Sequence, residues 1–304
     1  MRNAFAKEVT NLAAQNENLV LLAGDIGNRL FDDFKEKNSG RFYNCGIAEA
    51  LMTGVASGLA NHGFVPITYT ITPFNTLRCL EQIKLDVCYP NLPITIVGTG
   101  AGLSYASLGA THHSLDDIAA MRMLPNMQIL VPGDIHEVTS CLRAAINSER
   151  PTYIRLGKKG EPIIHSKSFE YEIGKIIPIQ NGEKILVISV GNMLSECAQA
   201  VRKFKTKYNV LVELVSIGSV SPLDEEYLKE SFGKFEKIII VEEHGFMGGA
   251  GAAILEWAHT NNRDMRRLKF VNTPKEFIIG AGDQSSIRKK LGLDSESIFA
   301  LMET

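Results

Sequence analysis

Short apolar runs that alternate with helical patterns constrain the fold of this chain more than any other feature. Such runs occur in NLVLLAGD, FVPITYTI and NLPITIVG in the first half, and in KILVISVG and KIIIVEEH in the second. Consecutive apolar positions are typical of strands covered on both faces. Segments between them show helical spacing, for example NTLRCLEQIKLDVCY, where Leu77, Leu80 and Leu85 would face inward. The pattern predicts an α/β fold with mostly parallel sheets and helices on both faces.

Length and a change in composition divide the chain into two domains. Its 304 residues are enough for two domains of roughly 150 residues each. Between about residues 158 and 172 the sequence KKGEPIIHSKSFEYE is polar and irregular, which favours a linker. We expect a first domain over 1–165 and a second over 173–304, each built around a mostly parallel sheet.

Charge and cysteine usage argue against several classes of protein. The net charge is −2 and no long Lys/Arg run is present, so there is no reason to expect a nucleic-acid or membrane-surface partner. No apolar run approaches the roughly 18 residues of a membrane span. The N-terminus carries charges where a secretory signal would be apolar. The five cysteines are scattered without a CxxC pair, so we expect reduced thiols in a cytoplasmic protein.

An acidic residue, Glu49, lies within the small and apolar segment YNCGIAEALMTGVASGLANHG. On a helix, small residues at every fourth position would form a smooth stripe: Gly46, Ala50, Gly54 and Gly58. Bulky residues would form a ridge beside it: Ile47, Leu51, Val55 and Leu59. Glu49 belongs to neither row and has no basic residue within one turn. Spacing alone leaves two interpretations open, a solvent-exposed carboxylate or one that binds a hydrogen-bonding ligand.

The usual nucleotide-binding fingerprints are missing. GAGLSYASLG lacks GxGxxG spacing, and the sequence contains no GxxxxGK[ST] motif. GGAGAAILEWA is rich in glycine at the start of a predicted helix. These glycines indicate either tight strand-to-helix packing or an anion bound at the helix N-terminus.

Two long stretches resemble the transketolase family of thiamine-diphosphate-dependent enzymes. GIAEALMTGVASGLANHGFVPITYT, with the later ATHH…R…PNM…PxD pattern, is similar to the pyrimidine-binding domain of that family. IVEEHGFMGGAGAAILEW is similar to its C-terminal domain. The resemblance implies a transferase of carbohydrate metabolism that moves a two-carbon ketol unit between a ketose and an aldose or their phosphates.

One element of the family is absent from the sequence. Family enzymes bind the diphosphate and Mg²⁺ in a separate domain with a G-D-G…N pattern, and this chain has no such pattern. It therefore resembles the C-terminal subunit of a split transketolase. The resemblance implies an N-terminal partner subunit that binds most of the diphosphate and the Mg²⁺ (or Ca²⁺), with no metal site in this chain. The glycine stripe would pack at a subunit interface, in a heterotetramer around a dimer of this chain.

The resemblance also implies roles for individual residues. Glu49 would bind and activate the pyrimidine ring of thiamine diphosphate, and His112 would take part in catalysis and face substrate hydroxyls. The other implied cofactor-binding residues are Asp25, Ile47 and Phe74. The implied substrate-binding residues are His112, Arg78 and Arg155, the last for a phosphate, since a guanidinium suits bidentate phosphate binding.

Departures from the family pattern leave the substrate open. Gly98 or a neighbour stands where transketolases have a histidine, and Leu108 stands where they have an aspartate. The loop SYASLGA around Tyr105 is longer than usual and would select a different sugar. The alternatives are a deoxyxylulose-phosphate-synthase-like activity, a 2-oxo-acid dehydrogenase beta-like chain, or a non-catalytic scaffold subunit.

Overall fold

The computed structural model describes residues 1–27, 29–158, 160–280 and 282–304. In these ranges the strands are, in chain order, β1 (Leu19–Ala23), β2 (Phe42–Asn44), β3 (Val65–Ile71), β4 (Thr95–Thr99), β5 (Gln128–Leu130), β6 (Thr152–Leu156), β7 (Ile177–Gln180), β8 (Ile185–Val190), β9 (Glu213–Ser216), β10 (Ser219–Ser221), β11 (Lys237–Gly245) and β12 (Leu268–Thr273). The apolar runs identified in the sequence supply most of the central strands, whose residues are buried on both faces.

The α-helices lie between and beyond these strands. They are α1 (Arg2–Gln15), α2 (Asp32–Lys37), α3 (Glu49–Asn61), α4 (Thr72–Asn75), α5 (Leu80–Gln82), α6 (Asp117–Arg122), α7 (Ile135–Ile146), α8 (Leu194–Tyr208), α9 (Glu225–Lys234), α10 (Ala250–Thr260), α11 (Gln284–Lys290) and α12 (Ser295–Glu303). None of the helices in the described ranges is long and apolar enough to cross a membrane.

The strands form two sheets that are parallel except at one edge of each. The first sheet has the order β10-β5-β6-β4-β3-β1-β2, and the second has the order β12-β11-β8-β9-β7. Only the β10–β5 and β7–β9 pairs are antiparallel in these sheets. This topology confirms the predicted α/β fold with two mostly parallel sheets.

The two halves of the chain interlock instead of meeting at a simple boundary. Strand β10 comes from the second half, yet it pairs with β5 and closes one edge of the first sheet. One apolar cluster also continues from Ile129 and Val131 of the first half to Ile188 and Ile240 of the second. The division into 1–165 and 173–304 stays a prediction, and β10, a three-residue strand too short to carry a sequence signal, pairs across it.

The stretch after β3 is helical from Leu77 to Cys88, as predicted, but its winding changes along its length. Helix α4 ends at Asn75, a 3₁₀ turn covers Leu77–Cys79, and a π-helical turn covers Ile83–Cys88. Leu77 and Leu85, predicted to face inward, are exposed. The changed winding shifts which residues are buried, and it places the segment that follows β3 at the carboxyl edge of the first sheet.

Candidate active site

The carboxylate of Glu49 is buried at the carboxyl edge of the first sheet. Glu49 is the first residue of α3, and it shares the inward face of that helix with Met52, Thr53 and Ala56. Only 4% of its surface is exposed. Spacing alone did not distinguish a solvent position from an interior one, and the structure decides for the interior.

The face of α3 that carries the bulky ridge is open to solvent. Ile47 is 79% exposed and Leu51 is 67% exposed. A methyl group added at Gly54 or Gly58 would meet no atom within 4 Å. Gly46 precedes the helix with φ +65°, so it does not belong to the stripe. Ile47, Leu51 and Val55 form an exposed apolar surface, a feature typical of protein contact sites, whereas Ala50 and Leu59 are half-buried against the core.

Arg78 contacts both Glu49 and Phe74. Its Nη1 donates a hydrogen bond to Oε2 of Glu49 at 2.9 Å. Its guanidinium carbon lies 4.2 Å from the centroid of the Phe74 ring, a cation–π arrangement. Phe74 and Arg78 both lie in the short turns that follow β3. The Arg78 guanidinium thus joins Glu49 and Phe74, which the sequence also singled out.

Two more rings and an amine extend this group. The ring centroids of His112 and Phe74 are 5.3 Å apart with an interplanar angle of 70°, and those of His112 and Tyr105 are 6.0 Å apart. Nζ of Lys158 lies 4.4 Å from the centroid of Tyr105. Nδ1 of His112 is 2.9 Å from Oγ1 of Thr111. The row from Glu49 to Lys158 forms one continuous polar and aromatic surface, which we call the edge site.

His112 and Lys158 offer different chemistry to a ligand. Partial burial, together with the nearby His113, lowers the pKa of His112, so its ring is neutral near pH 7 and can donate or accept a hydrogen bond. Lys158 offers a positive charge. Lys158 was not predicted from the sequence, although a basic residue two positions beyond a central parallel strand lies where open α/β sheets bind ligands.

Asp25 and Ile47 lie near the same edge with exposed side chains. The backbone N–H of Asp25 donates to the carbonyl of Gly46 at 3.0 Å, which joins the loops after β1 and β2. A methyl group at Gly24 would lie 2.8 Å from Oγ1 of Thr70, so glycine is required where β1 ends beside β3. Cofactor-binding roles for Asp25 and Ile47 stay predictions.

Arg155 lies in the interior and does not belong to the edge site. Its Nε donates to Oδ2 of Asp117 at 2.7 Å, and its Nη2 donates to the carbonyls of Ser114 and Glu243 at 2.9 and 3.0 Å. Burial alone would raise the pKa of Asp117, but the guanidinium beside it lowers that pKa. Protein groups hold this buried guanidinium on a central strand, so its position does not fit the substrate-phosphate role that the resemblance implied for Arg155.

Glu243 in the second half of the chain holds the loop that carries Tyr105. Its Oε2 accepts a hydrogen bond from the backbone N–H of Leu103 at 3.1 Å, and its Oε1 pairs with Nε of Arg288 at 2.6 Å. A methyl group at Gly102 would lie 2.3 Å from the same Oε2. The second sheet therefore fixes the position of a loop at the edge site.

The glycine-rich turn before α10 serves both purposes that the sequence left open. Oε2 and Oε1 of Glu242 accept hydrogen bonds from the backbone N–H groups of Ala250 and Gly251 at 2.8 and 3.1 Å. The group that accepts hydrogen bonds at this helix N-terminus is thus a side-chain carboxyl of the protein. A methyl group at Gly249 would lie 2.4 Å from Oε2 of Glu242, so close packing also requires glycine there.

Glu242→Gln is expected to change how stability depends on pH. Burial raises the pKa of Glu242 to about 7, so its stabilising contribution is complete below its unfolded-state pKa and is lost as the pH rises through 7. Between pH 5 and pH 8 the wild type should lose about 2 kcal/mol relative to the glutamine variant. Urea unfolding at both pH values measures this difference, and parallel pH profiles would contradict it.

Asp134, Glu137 and His165 form the one group in the described ranges with metal-ligand spacing. Each carboxylate is already engaged by protein donors. Asp134 accepts hydrogen bonds from four backbone N–H groups at both of its oxygens, and Oε1 of Glu137 is 2.9 Å from Nε2 of His165. These contacts cap α7 and attach the linker to it, so the three residues have a structural role.

Glu49 and Phe74 suit a planar ring that donates hydrogen bonds at its edge. The guanidinium of Arg78 is such a group, and it satisfies both residues at once by bonding Glu49 and covering the ring of Phe74. An aminopyrimidine has the same planar shape and edge donors. The edge site therefore fits the pyrimidine part of thiamine diphosphate, whereas the described part of this chain shows no counterpart of the family's diphosphate pattern.

Two family models match the chain. The model described as transketolase, pyrimidine binding domain, matches residues 1–161, and the model described as transketolase, C-terminal domain, matches residues 174–298. These matches agree with the resemblance found in the sequence.

Two relatives and one solved structure are similar to this chain. A protein named as one subunit of an apulose-4-phosphate transketolase, from Actinobacillus succinogenes, is 37% identical over 261 residues, which are 86% of this chain and 83% of that protein. The 1-deoxy-D-xylulose-5-phosphate synthase of Caldanaerobacter subterraneus is 33% identical over 97% of this chain but only 47% of its own length. A structure described as split gene transketolase, inactive beta4 tetramer, is 30% identical with a TM-score of 0.91, covering 99% of this chain and 96% of that one.

Proposed function

This chain belongs to the transketolase family, and we propose that it is the C-terminal subunit of a thiamine-diphosphate-dependent split transketolase. With an N-terminal partner it would transfer a two-carbon ketol unit between a ketose and an aldose or their phosphates. Support comes from the two matched domains, the missing G-D-G…N pattern, and a relative of similar length that is named as one subunit of a transketolase.

A buried carboxylate and an aromatic ring, Glu49 and Phe74, which both contact the planar guanidinium of Arg78, carry this proposal. Glu49 would bind a ring nitrogen of the pyrimidine and hold or release the proton at that nitrogen. Phe74 would cover one face of the ring. When bound, thiamine diphosphate supplies the electron sink that ketol transfer requires. Because Glu49 is buried while its partner Arg78 is half exposed, the carboxylate is the part of this pair that stays in place.

The remainder of the edge site would bind the sugar. His112, neutral near pH 7, would exchange hydrogen bonds with substrate hydroxyls. Arg78 and Lys158 would supply positive charge for an anionic group such as a phosphate. Lys158 takes the place in this proposal that the sequence assigned to Arg155, because its amine borders the edge site beside Tyr105.

The partner subunit would complete the active site. We assign most of the diphosphate binding and the Mg²⁺ (or Ca²⁺) to that partner, in a heterotetramer built around a dimer of this chain. The exposed apolar face of α3 supports a contact with another chain close to Glu49. A related structure described as an inactive beta4 tetramer is consistent with a chain that lacks activity on its own. The five cysteines are free, as expected for the cytoplasmic location we propose.

Reconstitution with a partner tests the proposal. The chain should be purified alone and together with an N-terminal transketolase subunit encoded beside it, and both samples assayed with thiamine diphosphate, Mg²⁺ and a panel of ketoses and aldoses with and without phosphate. We expect turnover only from the mixture, and light scattering should give the mass of a heterotetramer. Full turnover by the isolated chain would contradict the shared active site.

A deoxyxylulose-phosphate-synthase-like activity is the second candidate. The 33% identity to such a synthase favours it, but the chain spans about half of that protein's length. Formation of deoxyxylulose phosphate by the reconstituted pair, without ketol transfer between sugars, would support this candidate over the first.

A further inference from the structure

The position of Arg78 indicates a role in cofactor binding, in addition to the substrate-binding role that the resemblance implies. In the structure its guanidinium bonds Oε2 of Glu49 at 2.9 Å and lies 4.2 Å from the ring centroid of Phe74. We propose that Arg78 occupies the place of the pyrimidine ring in the cofactor-free chain, so that thiamine diphosphate must displace it in order to bind. This inference rests on the proposed function, because it requires that Glu49 and Phe74 bind the pyrimidine.

The guanidinium and the pyrimidine compete because they use the same two surfaces. A guanidinium is planar, carries N–H donors at its edge, and stacks on aromatic faces. Those are the properties by which an aminopyrimidine would bind Glu49 and Phe74. His112 approaches Phe74 steeply, at an interplanar angle of 70°, and does not lie flat on the ring. The ring face near Glu49 can therefore hold one planar partner, either Arg78 or the cofactor.

Arg78 is built to leave this position more easily than Glu49. The side chain of Arg78 is 44% exposed and that of Glu49 is 4% exposed. Among the described residues, Glu49 is the only carboxylate within salt-bridge distance of Arg78. Displacement would therefore break one ion pair and return the guanidinium to water, where a charge is well solvated. The released guanidinium would then be available for the substrate role proposed above.

The ion pair with Arg78 also explains how the fold tolerates the buried carboxylate of Glu49 before the cofactor binds. An unpaired buried charge is costly, and Arg78 supplies the partner that the cofactor would later replace. This predicts opposite effects of removing Arg78 in the two states. The cofactor-free chain should lose stability, while the affinity for the cofactor should increase. Removing an ion pair that only supports the fold would lower the stability and leave the affinity for the cofactor unchanged.

The test compares Arg78→Gln with a matched control, Arg143→Gln. Arg143 pairs with buried Glu8 at 2.6 Å, and the side-chain exposures of that pair are 54% and 8%, similar to those of Arg78 and Glu49. Thiamine diphosphate with Mg²⁺ is titrated calorimetrically into the reconstituted complex. We expect Arg78→Gln to lower the dissociation constant about five- to tenfold, the effect of losing one half-exposed ion pair and a cation–π contact. Arg143→Gln should leave it unchanged.

Thermal unfolding without cofactor provides the second readout. Arg78→Gln should unfold at a lower temperature than the wild type while binding the cofactor more tightly. Arg78→Lys keeps the charge but lacks the planar face, so its dissociation constant for thiamine diphosphate should lie between those of the wild type and Arg78→Gln. It replaces Arg78→Gln in the test if the glutamine variant does not fold. If a folded Arg78 variant binds thiamine diphosphate equally or more weakly than the wild type, this inference is overturned but the proposed function is not. A wild-type complex that does not bind thiamine diphosphate would overturn the proposed function and the inference with it.

Discussion

Glu49→Gln is expected to lower the turnover of the reconstituted two-subunit enzyme by at least about a hundredfold, the usual contribution of a positioned proton-transfer group. Glutamine has nearly the same shape and can still form hydrogen bonds, but its amide cannot hold and release a proton at the pyrimidine nitrogen. Because the carboxylate is buried, water cannot easily take over that task. Turnover measured at saturating thiamine diphosphate separates this loss from weaker cofactor binding.

Assembly of the Glu49→Gln variant should stay intact, which light scattering of the complex with its partner would verify. Glu8→Gln is a suitable control, because Glu8 is also a buried glutamate paired with an arginine but lies away from the edge site. Its turnover should match that of the wild type. Unchanged turnover in Glu49→Gln would instead favour the scaffold interpretation, in which this chain only stabilises the complex.

Arg155→Met should destabilise the protein by about 3 to 5 kcal/mol, the usual cost of removing one partner of a buried ion pair. The substitution leaves Asp117 charged and buried, and among the described residues only the Tyr153 hydroxyl still donates to its Oδ2, at 2.6 Å. It also removes the donor to the Glu243 carbonyl, which connects the two halves of the chain. The free energy of unfolding is obtained from urea titration followed by circular dichroism.

A second substitution distinguishes a buried charge from a simple packing defect. Arg155→Met combined with Asp117→Asn removes the unpaired charge while keeping an acceptor for Tyr153, so it should recover at least about 2 kcal/mol of the loss. Arg266→Met, which removes a surface ion pair with Asp264, should leave the unfolding midpoint unchanged. Strictly additive effects of the two interior substitutions would contradict an ion-pair role for Arg155.

Much of the edge site could be predicted from the sequence because its residues belong to local motifs. Glu49 stands out as the only acid in an apolar helix, and the resemblance drew attention to Phe74, Arg78 and His112. The structure brings these four together. Lys158 was not predicted, because its significance depends on which loops meet at the edge of the sheet.

Burial was the property that the sequence left open. The structure places Glu49 in the interior, whereas Ile47 and Leu51 are exposed in the single chain, where a partner could cover them. Arg155, a charged residue that was expected to bind a substrate phosphate, lies instead on a central strand, where it pairs with Asp117. A pattern of residue types reports which side chains are apolar, but not whether a second chain covers them or whether a charge has found a partner.

The order of apolar strands and helices was sufficient to determine the α/β class, because strand and helix periodicities are local properties of the chain. The identity of the key acid was equally visible in YNCGIAEALMTGVASGLANHG. Only the tertiary structure decided that β10 closes the first sheet, that Glu243 holds the Tyr105 loop, and that Arg78 lies on Phe74 against Glu49. These contacts join residues far apart in the sequence, and their geometry depends on how the whole chain packs.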